Sequence, residues 1–264
     1  MLIQYCIVDA FTPQAFGGNP AAVCVLDKPL SESLLAAIAA EFNLSETAYL
    51  IPAGENIWDL RWFTPTAEVN LCGHATLAAA WVLWQERSIK AAQLHFNTRS
   101  GVPSAERVDN GVQLNFPLIN TSSIDVELAI KNMFPQALAF VNAGEDLLVE
   151  LADAAAVEAL VPNLPAIAAL PYRGVSVTAA AVNKPYQIAS RFFAPRFGID
   201  EDPVTGSLHC ALADYWGQKL GLNSFWARQA SRRSGLLKVS LAGERVHLWG
   251  QAVITMRGAL ELPA

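Results

Sequence analysis

A chain of 264 residues can hold one large domain or two of ordinary size, each able to bury a core. The net charge of −6, with no basic cluster beyond Arg232-Arg233, argues against a nucleic-acid surface, and no apolar run reaches the ~18 residues of a membrane span. Charged residues make up 16% of the chain, against a usual ~25%, which leaves apolar surface for contact with a second copy of the chain.

In chain order, residues 2–10 read as a strand: MLIQYCIVDAF carries Asp9 and no basic leader, unlike a signal peptide. Cys6, Cys24, Cys72 and Cys210 are scattered without a Cys-x-x-Cys pair, which fits reduced thiols and a cytoplasmic location. A second strand, 21–26, follows the loop FTPQAFGGNP, where Gly17-Gly18-Asn19-Pro20 is turn chemistry. A tight connection accounts for all four, although Asn19 could also present its amide to a ligand. Ser31 caps a helix that ends near Asn43. Thr47, Tyr49 and Ile51 then alternate along a strand, with Glu46 at its start. On residue type alone a solitary Glu is solvated surface.

Residues 57–63 form another strand, leading into RWFTPTAEVNLCGHATLAAAWVLW at 61–84. Strands at 94–98 and 111–116 flank a turn at Asp109-Asn110-Gly111, and the polar stretch 117–123 reads as an irregular linker. Beyond it come a helix near 125–133, strands near 137–141 and 146–151, a helix over 153–160, and strands at 174–181 and 186–193. RFFAPRFGIDEDPVTGSLHCALADYWG occupies 191–217. A hairpin turning at Ala242-Gly243 and a last strand pair, 251–256 and 258–262, complete the chain.

The stretches at 61–84 and 191–217 are two copies of one pattern. With Arg61 set on Arg191, both read Arg, aromatic, Phe, small, Pro. A polar turn follows, three residues longer in the second copy, then Cys72-Gly73-His74 in one and Thr205-Gly206-Ser207 in the other. Each ends in a helical run that is apolar almost all round, hence a core helix wrapped by sheet. Two such units imply two similar halves. If these face each other, both helix N-termini point into one cleft and favour a carboxylate there.

Four chemistries compete for the polar groups around these helix starts. A hydrolytic triad is disfavoured, because Ser207 lies in Thr-Gly-Ser-Leu-His and not in Gly-x-Ser-x-Gly. Cys72-x-His74 with His209-Cys210 could ligate a metal, but neither spacing is a usual zinc pattern, and buried thiols and hydrogen-bonded imidazoles are the plainer reading. A two-thiol racemase needs a second Cys where Thr205 stands, so only a one-thiol variant built on Cys72 remains. The fourth is carbon-acid isomerisation by a carboxylate and an imidazole. Pro203 biases Asp202 to an extended conformation just ahead of the helix, where Asp202 and His74 could share protons with a substrate. Plainer roles, a helix-preceding acid for Asp202 and a capping hydroxyl for Ser207, stay open.

GGNPAAV at 17–23, SETAYL at 45–50, RWFTPTAEVNLCGHATLAAAWVL at 61–83 and RFFAPRFGIDEDPVTGSLH at 191–209 together resemble the phenazine-biosynthesis (PhzF-like) isomerase family over nearly the whole chain. The resemblance implies an α+β fold like that of diaminopimelate epimerase: two similar halves, each a curved mixed β-sheet or barrel around a central apolar helix, with the active-site cleft between them. The halves would be 1–116 and 117–251, with C-terminal strands over about 252–264 crossing back to the first. It also implies a homodimer that uses no cofactor and no metal and acts on a small carboxylic or amino acid. A tested member of the family moves a proton between ring carbons of a dihydro-hydroxyanthranilate.

Carried over residue by residue, the family's general acid/base falls on Glu46. Substrate binding and proton relay fall on His74, Asp202 and Ser207, with Gly73 and Gly206 at the helix starts and Asn19 and Thr205 beside them. ARQASRRSG at 227–235 departs from the family pattern by shifting or losing its glycines while keeping Gln229, Arg232 and Arg233. The competing class is a binding protein on the same fold that has lost chemistry. Such a protein has little use for Glu46, because a general base adds little to ground-state affinity.

Overall fold

The computed structural model describes residues 1–101 and 103–262. The chain forms two compact units, one of Met1–Asn115 with the chain from Trp249 onward, the other of Phe116–Leu248.

In the first unit, β1 (Leu2–Ala10) lies antiparallel to β2 (Asn19–Val25), and β2 runs parallel to β3 (Glu46–Gly54). Between β2 and β3 comes α1 (Glu32–Phe42), capped by the Ser31 hydroxyl, which accepts from the Leu34 amide, and closed by Asn43 in the left-handed conformation. β4 (Ile57–Phe63) pairs antiparallel with β3 and with the short β5 (Glu68–Val69). Next is α2 (Gly73–Glu86), followed by β6 (Gln93–Asn97), parallel to β4, then β7 (Ser104–Val108) and β8 (Gly111–Pro117). The chain's last strand, Ala252–Glu261, returns antiparallel along the whole of β1.

α2 buries residues on every side and packs against β1, β2, β3, β7 and the last strand, so the sheet curves around it. Its Leu77 and Leu83 are fully buried, and truncating either to Ala would cost ~2–5 kcal/mol. The outer face of the sheet is covered by α1, where Leu35 and Ile38 pack with Ile3, Tyr49 and Phe63.

The second unit repeats this plan. β9 (Thr121–Ser123) and α3 (Leu128–Met133) precede β10 (Ala139–Ala143) and β11 (Asp146–Glu150). After α4 (Ala154–Ala159) and α5 (Leu164–Ala168), β12 (Val175–Ala180) runs parallel to β11, as β3 does to β2. β13 (Ile188–Ala194) pairs with β12 and with β14 (Ile199–Asp202). Then come α6 (Gly206–Leu220), β15 (Ser224–Gln229), β16 (Gly235–Ala242) and β17 (Arg245–Gly250). α6 packs on β9, β15 and β16, and its buried Trp216 donates to Thr178 Oγ1 at 3.0 Å. α4 covers the outer face, where its Val157 packs with Val177 and Phe193.

The repeat is exact in its ion pairs as well as in its order. Arg61 of β4 grips Glu68 of β5 with two hydrogen bonds, at 2.7 and 2.6 Å, and its guanidinium stands 5.0 Å over the Phe63 ring. Arg191 of β13 grips Glu201 of β14 at 2.7 and 3.1 Å and stands 5.0 Å over Phe193. A bidentate guanidinium–carboxylate pair fixes both partners in direction as well as distance, so each clamp sets the path of the chain into its helix. The three-residue excess of the second copy is taken up around the 3₁₀ turn Pro195–Phe197 and the left-handed Gly198, which leaves Glu201 and Glu68 in matching places.

Three sequence expectations are corrected. The stretch 117–123 contains β9, whose Thr121 amide and hydroxyl both donate to the buried Asp214 at 2.7 and 2.5 Å. The pair expected at 251–256 and 258–262 is one strand. Gly258 is no turn residue, because it lies opposite Tyr5, whose ring would stand 2.6 Å from an added Cβ. Finally, β7 carries a single fully buried side chain, Ala105, so it lacks the apolar alternation by which strands are read from sequence. Residues 263 and 264, within the span expected to cross back, lie outside the described residues.

Candidate active site

In the first unit the site is assembled by the starts of β2, β3 and α2. Gly18, at φ +59, has its Cα so close to the Ala10 carbonyl oxygen that a Cβ would lie 2.1 Å from it. That turn is open only to glycine, and it delivers Asn19 to the first position of β2 with no exposed surface. The reading of Asn19 as a turn residue is therefore corrected. Its Nδ2 lies 3.2 Å from His74 Nδ1, while its Oδ1 accepts from the Ser45 hydroxyl at 3.4 Å. The parallel register that sets Ala21 beside Glu46 places Glu46 at the start of β3.

His74 is the second residue of α2, after Gly73, and it is 5% exposed. Its Nε2 stands 3.1 Å from Glu46 Oε2, and Cys72 Sγ stands 3.5 Å from its Nδ1. The Glu46–His74 contact is close but misaligned, since neither Oε2 nor Nε2 has a hydrogen-bond partner among the described residues. An Asn19 amide N–H aimed at Nδ1 puts the proton of a neutral ring on Nε2, facing Glu46. Charging the ring requires an acceptor at Nδ1, which Asn19 can supply by turning its amide over.

Burial opposes charge on His74, but Cys72 and Glu46 outweigh it, and the imidazole pKa is raised well above 6.5. The Cys72 thiol is pushed up by burial and then by the Glu46 charge, with His74 pulling it back only in part. Cys72 also holds the N-cap position of α2 in an extended conformation without capping through its side chain, so the amides at the helix start take no side-chain cap from it. A carboxylate, an imidazole and a thiol, each able to offer a donor atom within 4.8 Å of the others, thus meet beside a helix N-terminus.

The second unit arranges different residues at the matching positions. Thr205 is the N-cap of α6, Gly206 its first residue and Ser207 its second. Asp202 ends β14 and takes a 2.5 Å hydrogen bond from the Thr205 hydroxyl. Gln229, fully buried at the end of β15, braces this turn: its Oε1 accepts from the Thr205 amide at 2.8 Å, and its Nε2 donates to the Asp202 carbonyl at 2.7 Å. Ser231 adds a bond to the Pro203 carbonyl at 2.8 Å. The stretch 227–235, which departs from the family pattern in its glycines, thus holds the turn ahead of α6 through Gln229 and Ser231.

Ser207 is not a capping hydroxyl. It accepts from Arg173 Nη2 at 2.9 Å, so its own proton is available to donate elsewhere. Arg173 is anchored on the buried Asp146, through its Nε at 2.9 Å and through Nη2, and it stacks on Phe192. Burial raises the Asp146 pKa despite the guanidinium. Sequence reading missed Arg173 and Asp146 altogether, since neither lies in a motif. The one signal available was the repeat, which sets β11 and β12 against β2 and β3.

His209, the fourth residue of α6, is fully buried. Its Nδ1 lies 2.8 Å from the Thr205 carbonyl oxygen, and its Nε2 has no partner among the described residues. Burial lowers its pKa to about 4. In α2 the fourth residue is Thr76, whose hydroxyl donates to the Cys72 carbonyl at 2.5 Å. The two side chains fill the same slot and close the same turn.

A duplicated curved-sheet unit, with a buried carboxylate–imidazole pair at one central helix start, defines an isomerase-type enzyme with an epimerase-like fold. The phenazine biosynthesis-like protein family matches residues 8–258, and the chain belongs to that family. A protein of Pseudomonas aeruginosa described as an uncharacterized isomerase is 44% identical, covering 99% of this chain and 100% of its own. The crystal structure of a PhzF-family phenazine biosynthesis protein from Enterococcus faecalis superposes with a TM-score of 0.95 at 39% identity, covering 99% of this chain and 100% of that one. A hydroxyproline epimerase from Agrobacterium vitis, with bound trans-4-hydroxy-L-proline, shares the fold at a TM-score of 0.61 and 13% identity, covering 98% and 92% of the two chains.

Proposed function

We propose that the protein is a cofactor-independent isomerase that moves a proton on a small carboxylic or amino acid, with Glu46 as general acid/base. The observation that carries this reading is the 3.1 Å approach of Glu46 Oε2 to His74 Nε2, both atoms buried and neither with a hydrogen-bond partner among the described residues. A buried carboxylate next to an imidazole can take a proton from carbon and return it while the imidazole holds or balances the charge. Asn19 keeps the ring in register, and the amides at the start of α2, from Gly73 on, offer donors to a substrate carboxylate. Cys72 is a neighbour in this scheme and not the base, because burial and the Glu46 charge hold its thiol protonated. In the second unit we assign ligand contact to Asp202, Thr205, Gly206 and Ser207, the last as a hydrogen-bond donor oriented by Arg173. We further expect a homodimer.

The test is solvent deuterium incorporation. Wild type and Glu46→Gln are incubated in D₂O with a pool of small amino, hydroxy and cyclic unsaturated acids, and mass shifts are read. The expected result is uptake into one compound with wild type, a loss of at least ~100-fold with Glu46→Gln, and a raised KM with Ser207→Ala. Full exchange by Glu46→Gln on the identified compound would sink the assignment. A pool member that stabilises the protein against heat without ever exchanging would identify a binding protein instead.

A further inference from the structure

The geometry points to Arg173 as a specificity-determining residue of the second unit, whose guanidinium, together with the Ser207 hydroxyl, binds an anionic carboxylate oxygen of the ligand. The duplication supplies the first argument. In the first unit Thr47 lies opposite Phe63, and in the second Val175 lies opposite Phe193. With Phe63 set on Phe193, Thr47 matches Val175, so the residues just before them, Ser45-Glu46 and Arg173-Gly174, occupy matching places. His74 and Ser207 match in the same way, each the second residue of its central helix. In one unit a carboxylate from this place meets the helix residue, Glu46 against His74 at 3.1 Å. In the other a guanidinium does, Arg173 against Ser207 at 2.9 Å. The same slot thus carries opposite charge in the two units.

The bonds of Arg173 supply the second argument. A guanidinium is a planar fork, and Nε with Nη2 forms one of its edges. Asp146 holds that edge, and the guanidinium stands 5.4 Å over the Phe192 ring. The other N–H of Nη2 goes to Ser207 Oγ. Nη1 has no partner among the described residues, and the Arg173 side chain is 37% exposed where that of Asp146 is 6% exposed. In the planar fork Nη1 and Nη2 direct N–H groups the same way, so an oxygen in front of Nη1 stands beside Ser207 Oγ and can take the hydroxyl proton too. Both groups are donors and one is a cation, a combination that selects an anionic acceptor. Burying the Asp146 carboxylate is costly, and it fixes a partly exposed cation in one direction, as preorganised binding groups are fixed. The inference extends the ligand contact assigned to Ser207 and does not depend on proton transfer at Glu46.

The experiment titrates the isotope-labelled, full-length protein with lactate, alanine and cyclohex-1-ene-1-carboxylate, and with the primary amide of each, while NMR follows the Arg173 Nε–H and the Ser207 amide. At least one acid is expected to move both signals saturably, and its amide to leave them in place. Arg173→Gln should raise the dissociation constant read at Ser207 about tenfold or more, and Arg173→Lys, which keeps the charge but loses the fork, should fall between the two. An arginine with only a structural role would not separate acid from amide. No saturable shift at Arg173 with any of the acids, equal shifts with acid and amide, or affinity unchanged in Arg173→Gln would overturn the assignment. If Arg173→Gln fails to fold, the wild-type comparison of acid with amide at the Arg173 Nε–H decides. An acid that binds here without exchanging deuterium would count against Glu46 as the base and leave the role of Arg173 standing.

Discussion

The fully buried His209 makes a pH prediction that can be worked in numbers. Its Nδ1–H is used on the Thr205 carbonyl, so a second proton must go to Nε2, which has no partner among the described residues. The folded-state pKa of about 4 lies below the ordinary 6.5, and the folded state therefore resists a proton that the unfolded chain accepts. The sign follows: the neutral ring's contribution is fully present above 6.5 and is lost as pH falls toward 4. The gap of about 2.5 units, at ~1.4 kcal/mol each, sets a ceiling of ~3.5 kcal/mol, of which about 3 is spent between pH 7 and pH 4. Asn at 209 can keep a donor for the Thr205 carbonyl but cannot take the proton. Urea unfolding of wild type and His209→Asn at pH 7 and pH 4 should therefore show the wild type losing about 3 kcal/mol more than the variant between the two. Parallel losses in the two proteins would refute the reasoning, whatever the variant's stability at pH 7.

His74 should titrate in the opposite sense. Its folded pKa is raised above 6.5, so its contribution is present below 6.5 and fades as pH rises through the folded value. Above pH 6.5 the wild type should lose stability relative to His74→Gln as the ring gives up its proton, and the ring should remain charged above pH 6.5 by NMR titration, with only four histidines to assign. At the turn that delivers Asn19, Gly18→Ala should destabilise by ~1–3 kcal/mol in a denaturant series, because a methyl at 2.1 Å from a backbone oxygen forces the main chain to move. An unchanged midpoint would show that the turn gives way freely.

The two apolar helices and the Arg-x-Phe strands before them were legible because they repeat, and repetition separates a structural requirement from chance. The clamps were not. Glu68 and Glu201 sit five and eight residues after Phe63 and Phe193, so their equivalence appears only when the Pro195–Phe197 turn is seen to absorb the difference. Glu46 was reached only through resemblance, whereas His74 was already a candidate from its place at a helix start. From residue type alone Glu46 read as surface, since nothing in one sequence reports that parallel pairing with β2 brings it to an imidazole 28 positions on. Arg173 and Asp146 escaped for the same reason. Their partnership spans 27 residues, and neither sits at a spacing that carries meaning along the chain. Asn19 was misread because turns and buried amides use the same residue types, and only burial tells them apart.

The seam between β1 and the last strand has a consequence for synthesis. Nine residue pairs, from Leu2 opposite Glu261 to Ala10 opposite Ala252, join the two ends of the chain, and the Met1 ammonium reaches the Leu262 carbonyl at 2.6 Å. On the ribosome the first 115 residues emerge early but lack a strand, Ala252–Glu261, that is translated only after the second unit. Until then the β1 edge is an open template with Ile3, Ile7 and Val8 along it, the kind of edge that pairs with the wrong chain. The second unit, continuous in sequence, is complete first. Translation of Ala252–Glu261 then supplies the strand that closes the other, so the order of folding runs against the order of synthesis. A permuted gene that places Ala252–Glu261 ahead of Leu2 would reverse that order while keeping the nine pairs of the seam.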